Sequence, residues 1–331
     1  MQYRKLGRTG IEISEIAFGC GAAAGLLTSG DHEAQLGAVR RALDLGINHF
    51  DTAPAYGAGS SETNLGRLLE ETGAEATVST KVRLGKESAG RLREATVESV
   101  EGSLARLGRE AVDIIQLHNH VAPEGEGGGW SGHTLSPEDV LGEGGVLEGF
   151  RELRERGRVR HFGFTGLGAP DALHALVDSG AFDTIQAYYN LLNPTGGHPA
   201  PPGFGALDYG LIIDRAAAAG MGVLAIRILG RGSIVPRAEA GGKTPKTLSR
   251  GSDFPRDAER GRALGWLTEG FARTIPEAAI RFALMKPEVS TVLLGFSETA
   301  HVEEAAACTG AGGLPEEAMA RLRGLWESDF R

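Results

Sequence analysis

Short apolar runs with strand character alternate along this chain with stretches of helical periodicity, and the alternation repeats eight times. The strand candidates are 14–18, 47–51, 77–81, 113–117, 159–165, 184–188, 223–226 and 290–294, short and dominated by Val, Ile and Leu. Between them lie amphipathic stretches. "HEAQLGAVRRALDLG" places Leu36, Val39, Ala42, Leu43 and Leu45 largely on one face and stops at Gly46. "SAGRLREATVESVEGSLARLG" behaves likewise and stops at Gly108. "LEGFRELRERG", "PDALHALVDSG", "DYGLIIDRAAAAG", "AERGRALGWLTEGFA" with its continuation "PEAAIRFALMK", and "TAHVEEAAAC" complete the set.

Strict alternation of strand and helix implies parallel neighbours, because a parallel pair needs a crossover of a dozen or more residues. Continuous apolar strands fit a sheet buried on both faces. Eight units predict an α/β fold, a (β/α)8 TIM barrel, with residues 1–331 forming one domain. The rival, a doubly wound sheet, calls for two halves, and no proline-rich or charged linker divides the chain near its middle. Three segments break the alternation: "NHVAPEGEGGGWSGHT", "NPTGGHPAPPGFGA" and "RGSIVPRAEAGGKTPKTLSRGSDFPRD". Each follows a strand, so each is expected at the barrel's C-terminal face, shaping a pocket or a lid. The plainer reading of "GEGGG" is a surface loop, against which Trp130 argues for folding back over something apolar.

Composition narrows the class. With a net charge of -9 and no basic cluster interleaved with aromatics, the 331-residue chain offers no nucleic-acid face. No run approaches the roughly 18 apolar residues of a membrane span, and "MQYRKLGRTG" lacks the apolar centre of a signal peptide. A cytoplasmic protein with no membrane partner is therefore expected. Cys20 and Cys308 are the only cysteines, too few for a disulfide framework or a cysteine-rich metal site.

Four polar residues end or follow apolar strands: Asp51 and Lys81 at the ends of the second and third, His118 directly after the fourth, and Tyr56 in the loop after the second. In a barrel they share one mouth. A tyrosine with the reference pKa of about 10 is a poor proton donor near neutrality, and lowering it by three units needs roughly 4 kcal/mol. A nearby ammonium in low dielectric supplies much of that. Tyr56 as acid, Lys81 and Asp51 as its tuners and His118 as orienter make a site for reducing a carbonyl or oxidising an alcohol. Each residue alone has a duller reading: a structural salt bridge for Asp51 and Lys81, packing for Tyr56. His118 with His120 would suggest a metal, but no third ligand stands at a standard spacing, so no metal is expected.

The chain resembles the aldo-keto reductase superfamily almost end to end, and its aldose and galactose dehydrogenase branch in the variant "GFTGLG". The resemblance is carried by "YRKLGRTGIEISEIAFGCG", "NHFDTAPAYG", "SETNLGRLL", "STK", "VDIIQLH", "VRHFGFTG", "IQAYYNLLN", "LGRG" and "STVLLGFSETAHVEEAAA". It implies a barrel using NAD or NADP without a Rossmann fold, with Asp51, Tyr56, Lys81 and His118 as the catalytic set. It further implies nicotinamide contacts at Thr165 and Gly166, where the family usually has Ser-Asn, and at Gln186, with Asp51 and Gly21 beside them. Arg227, Ile228, Leu229 and Gly230 are expected along the pyrophosphate. Ile226 replaces the family's stacking aromatic. Gly295, Ser297, His301 and Glu304 are expected at the adenosine end, where the usual Lys and Arg for a 2'-phosphate become Gly295 and His301, and the usual asparagine beside the adenine contact becomes Ala305. With Glu298 nearby, this leans toward NAD.

"FGCGAAAG" superficially suggests a dinucleotide loop, but it spaces its glycines G-x-G-x3-G and its helix is expected only near Asp31. It reads as barrel mouth, with Ala22 to Ala24 on the substrate side. Asn119 and Trp130 are the expected substrate contacts, and Asn119 with His120 makes a polar mouth suited to a sugar, another polyol or a small aldehyde. The alternative is a nucleotide-sensing regulatory barrel with little turnover, favoured by the changes at Gly166 and Ile226.

Overall fold

The computed structural model describes residues 1–21, 24–126, 133–235 and 253–331. The chain opens with an antiparallel hairpin, β1 (Tyr3–Lys5) and β2 (Glu12–Ser14). Eight parallel strands follow: β3 (Ile16–Gly19), β4 (His49–Asp51), β5 (Thr77–Val82), β6 (Val112–Leu117), β7 (Val159–Gly166), β8 (Thr184–Tyr188), β9 (Gly222–Ile226) and β10 (Thr291–Gly295). They run in sequence order, and β10 pairs with both β9 and β3, so the barrel closes. The (β/α)8 expectation is met, with strand bounds within two residues of those expected and 184–188 matched at both ends.

Alternation along the strands separates two environments. Phe18, Phe50, Val78, Ile115, Phe162, Phe164, Ile185 and Val223 face outward into one large core shared with the helices. Ile114 and Leu224 face inward and meet Leu6 and Ile13 of the hairpin in a second, small apolar cluster. The hairpin therefore floors the barrel. Its Arg8 fixes it there, donating to Asp183 Oδ1 (3.0 Å), to the Phe182 carbonyl (2.7 Å) and from its backbone N–H to the Gly220 carbonyl (2.8 Å). Above that floor the interior turns polar: His49, Ser79, Gln116, Thr184 and Thr291 are all fully buried.

Several elements differ from the expectations. The first strand, expected over 14–18, is broken at Glu15, where the chain turns from floor to wall and Arg4 Nε donates to Glu15 Oε1 at 2.8 Å. The stretch "AERGRALGWLTEGFA" is not one helix: Phe254–Arg262 ends before a 3-10 turn at Gly265–Thr268, and Gly261 lies against the Ser233 carbonyl. A helix over Ser60–Thr72 went unexpected because Ser, Thr, Asn and Gly dilute its pattern. Its Gly66 is required by packing, since a Cβ there would come within 2.1 Å of the Leu107 carbonyl oxygen on the neighbouring helix. The helix expected from Asp31 is present: His32–Asp44, with Asp31 as N-cap accepting from the Ala34 N–H at 2.8 Å. A single turn, Leu26–Ser29, precedes it.

Candidate active site

The registers of adjacent strands decide what meets at the C-terminal mouth. Asp51 is level with Ser79, Lys81 with Gln116, and Thr165 with Gln186. Lys81, 1% exposed, ion-pairs with Asp51 Oδ2 and donates to the Thr52 carbonyl at 2.8 Å. Asp51 Oδ1 in turn accepts from Ser79 Oγ at 2.6 Å and from Gln186 Nε2 at 2.7 Å. A buried carboxylate with a cation on one oxygen and two donors on the other has its charge compensated within one hydrogen-bond shell.

Tyr56 stands over this pair. The Lys81 ammonium lies 4.8 Å from its ring centroid, and the His118 ring meets it edge-on at 5.8 Å. Tyr56 opens a short 3-10 turn, Tyr56–Gly59, in which Gly57 and Ala58 both take positive φ (60° and 52°). Such a conformation is costly for alanine and marks a backbone held by its surroundings. The holding comes from the next helix: Ser61 Oγ donates to the Cys20 carbonyl at 2.9 Å, and buried Glu62 accepts from Thr80 Oγ1 (2.5 Å) and Arg106 Nε (2.6 Å). Gly21 lies beside the phenol ring, where a Cβ would make ordinary contact with Tyr56 Cζ at 3.7 Å.

The electrostatics follow from burial and charge. Burial pulls the Lys81 ammonium down, but the charges of Asp51 and Tyr56 and hydrogen bonds to both outweigh it, leaving Lys81 above the ordinary lysine value. Burial, then the positive charges of Lys81, Arg83 and Arg227, hold His118 well below the usual histidine value, so its ring is neutral. Buried Cys20 is pushed upward, first by desolvation and then by Asp51, so it is no thiolate nucleophile.

Beneath Asp51, His49 is buried against Ser79 and Thr77, and burial lowers it to about 4; Asp51 and Asp113 oppose that shift and Lys81 adds to it. Between pH 6.5 and 4 the unfolded chain binds a proton at this position that the folded chain refuses. Stability from this group is thus complete above pH 6.5 and declines as the pH falls toward 4, by about 3 kcal/mol. The measurement is denaturant unfolding at pH 7 and pH 5, where His49→Gln is expected to flatten the slope. An equal slope in both proteins would remove His49 as its source.

Most of the residues expected at the cofactor face lie at or after the C-terminal ends of four neighbouring strands, β7, β8, β9 and β10. Thr165 is 2% exposed and its Oγ1 has no partner among the described residues, while Gly166 places bare backbone beside it, so the pair fits a polar head group such as a carboxamide. Gln186 already uses its Nε2 on Asp51. After β9, Arg227 and Arg231 take left-handed φ (61° and 63°) and Gly230 follows the same bend, while the Arg227 carbonyl accepts from Asn190 Nδ2 at 3.0 Å. Burial and then the charge of Arg227 lower Arg231 to about 10. Ile228 points into the core, leaving only its backbone for a ligand; Leu229 is half-buried. Past β10, Gly295 and Ser297 are exposed, and His301 lies 3.1 Å from Ser297 Oγ and 3.2 Å from Glu298 Oε1. Glu304 is exposed on the same helix, Thr299–Ala306.

The expected substrate contacts are placed unevenly. Asn119 is 1% exposed, and its amide is spent on the backbone: Nδ2 donates to the Leu84 and His133 carbonyls, and Oδ1 accepts from the Leu84 N–H. It ties the loop after β6 to the loop after β5. Trp130 and Ala22 lie outside the described residues. Among the described residues no group of three or more His, Cys, Asp or Glu is placed to hold a metal, and no helix is long and apolar enough to cross a membrane. Ser79, Thr52 and His49 were not anticipated, nor was the bond from Gln186 to Asp51. Their signal is the barrel register, which no single segment carries.

A family model described as Aldo/keto reductase family matches residues 15–327. The chain is 26% identical to an L-galactose dehydrogenase of Arabidopsis thaliana, over 99% of this chain and 95% of that protein. It is 27% identical to an L-glyceraldehyde 3-phosphate reductase of Escherichia coli, over 92% and 86% respectively. An aldo-keto reductase from Bacillus halodurans, solved in its holo form, superposes with a TM-score of 0.72 at 22% identity, covering 98% of this chain and 96% of that one.

Proposed function

Because the chain belongs to the aldo/keto reductase family, we propose that it interconverts a carbonyl and an alcohol with NAD or NADP, using Tyr56 as the proton donor and acceptor. The nicotinamide, when bound, supplies or receives the hydride. The observation that carries the reading is the convergence of Tyr56, Lys81, Asp51 and His118 at one mouth, with Lys81 charged and the His118 ring neutral.

The roles follow from the geometry. Tyr56 passes its proton to a carbonyl oxygen held between its hydroxyl and the His118 ring. The Lys81 ammonium, fixed by Asp51 and the Thr52 carbonyl, favours the negative charge left on the phenolate. His118, neutral, donates a hydrogen bond to the substrate oxygen without competing for the proton. Thr165 and Gln186 would hold the carboxamide, the bend from Arg227 to Gly230 the pyrophosphate, and the segment from Gly295 to His301 the adenosine, with Glu304 toward the adenine. The intact proton-transfer set favours turnover over a purely nucleotide-sensing role.

A polyhydroxylated aldehyde or sugar is the substrate class we favour, in keeping with the relatives named for galactose and glyceraldehyde 3-phosphate. The test is a panel of aldehydes, ketones and aldoses with each reduced and oxidised dinucleotide, followed at the nicotinamide absorbance. Turnover with an aldose or hydroxyaldehyde is expected, and none with any carbonyl or alcohol would overturn the reading.

Glu298 supports a lean toward NAD, since it pairs with His301 where a 2'-phosphate would otherwise meet a cation. Glu298→Arg is expected to tighten NADPH binding roughly tenfold, about 1.4 kcal/mol, with NADH affinity unchanged. Titration of the protein's fluorescence with both dinucleotides measures it; an unchanged ratio of the two dissociation constants would contradict the assignment.

A further inference from the structure

Beneath the catalytic pair runs a continuous file of hydrogen bonds down the inside of the barrel. Asp51 Oδ1 accepts from Ser79 Oγ at 2.6 Å, Ser79 Oγ lies 3.1 Å from His49 Nε2, and His49 Nδ1 lies 2.8 Å from Thr77 Oγ1. Asp51, Ser79 and His49 are buried, whereas Thr77, at the start of β5, is half-buried at the lower rim. Thr77 Oγ1 is also 2.9 Å from the Asn48 carbonyl.

Donor arithmetic fixes the direction of the file. Ionised Asp51 only accepts, so the single hydroxyl hydrogen of Ser79 belongs to it, and Ser79 must accept from His49 Nε2–H. Buried His49 is neutral, which leaves Nδ1 as an acceptor and requires the Thr77 hydroxyl to donate. Every donor then points toward Asp51. The Thr77 hydrogen has a second acceptor in the Asn48 carbonyl, so one hydroxyl rotation opens or closes the file.

We propose that His49 and Ser79 are positioning residues that relay a proton between Thr77, at the floor of the barrel, and Tyr56, a role that rests on the reading of Tyr56 as the proton donor. After Tyr56 has given its proton to a carbonyl, the phenolate takes a proton from Lys81, leaving a neutral amine beside ionised Asp51; Asp51 first takes a proton from Ser79 at Oδ1, then turns about its Cβ–Cγ bond and passes that proton to Lys81, so that Asp51 is ionised again. As Asp51 receives it, the Ser79 O–H bond breaks and an O–H bond forms at Asp51; His49 Nε2–H passes to Ser79, Thr77 O–H passes to His49 Nδ1, and water restores Thr77. One proton enters at Thr77 and one appears on Tyr56, with no change in charge along the file. Alcohol oxidation runs the same steps in reverse, and reorientation of the imidazole and hydroxyls restores the starting state between turnovers. The site is thereby reprotonated from below while substrate and dinucleotide close the mouth above.

The test separates the first turnover from later ones, using the full chain, reduced dinucleotide and glyceraldehyde. In His49→Gln and Thr77→Val the burst is expected within about twofold of wild type, because the Tyr56 proton is already in place, while steady-state kcat falls about tenfold with KM nearly unchanged. The wild-type proton inventory in mixed heavy and light water is expected to curve and the variants' to be linear. Burst and steady state falling together, or neither changing, would overturn the relay. If wild type turns over no carbonyl, the reading of Tyr56 fails separately, and nitrogen NMR of the His49 ring decides the conduit. Solvent exchange of Nε2–H slowed about tenfold or more by Thr77→Val supports it, and equal exchange in the two proteins overturns it.

Discussion

Tyr56→Phe is expected to lower kcat by about 10²–10⁴-fold, with the dinucleotide dissociation constant within about twofold of wild type. The substitution removes one hydroxyl, and with it a hydrogen bond to Lys81, while Asp51 and the Thr52 carbonyl still hold the ammonium. The ring remains edge-on to His118 and over the Lys81 ammonium, and the turn that places it is held by Ser61 and Glu62 rather than by the phenol. Loss of the proton donor with the binding surface intact is the signature of a group that acts only as the reaction proceeds. Steady-state kinetics beside a fluorescence titration read both quantities. Retention of most of the activity would move proton transfer to another group.

Lys81→Met is expected to be the most damaging change for stability, at about 3–5 kcal/mol, besides abolishing turnover. The substitution leaves the Asp51 carboxylate buried with Ser79 and Gln186 as donors and no counter-charge. The double variant with Asp51→Asn is expected to recover part of the loss, because the uncompensated charge goes with it. Denaturant unfolding of both single variants and the double variant closes the cycle. A loss below about 1 kcal/mol for Lys81→Met would show that the pair behaves as an exposed one.

What was legible in the chain is what local patterning encodes. Apolar runs ending in Asp51 and Lys81, or followed by His118, locate a mouth because a parallel barrel has only one place for strand C-termini. Gly108 ends its helix in the left-handed conformation that its sequence suggests. The floor was not legible, since β1 and β2 have three residues each and too few alternations to stand out from a loop. Nor was the polar column beneath the site. Ser79 reaches Asp51 only because β4 and β5 pair in the register Asp51 to Ser79, and Gln186 reaches it only because the barrel closes, bringing together residues 135 apart. His49 looks like an ordinary polar residue in sequence and acquires its place in the column from what stands opposite. Asn119, expected at the substrate, has a fully occupied amide that braces the loop carrying Arg83 and Leu84.

The central claim is hydride and proton exchange between a nicotinamide and a carbonyl at Tyr56. Its most direct measurement is the fate of deuterium from reduced dinucleotide labelled at the transferable position, incubated with the protein and glyceraldehyde and read by mass spectrometry of the alcohol. The account predicts one deuterium per alcohol formed, with product formation lost in Tyr56→Phe. Tight dinucleotide binding without labelled alcohol from glyceraldehyde or any other aldehyde, ketone or aldose would contradict it and leave the barrel a nucleotide-binding protein.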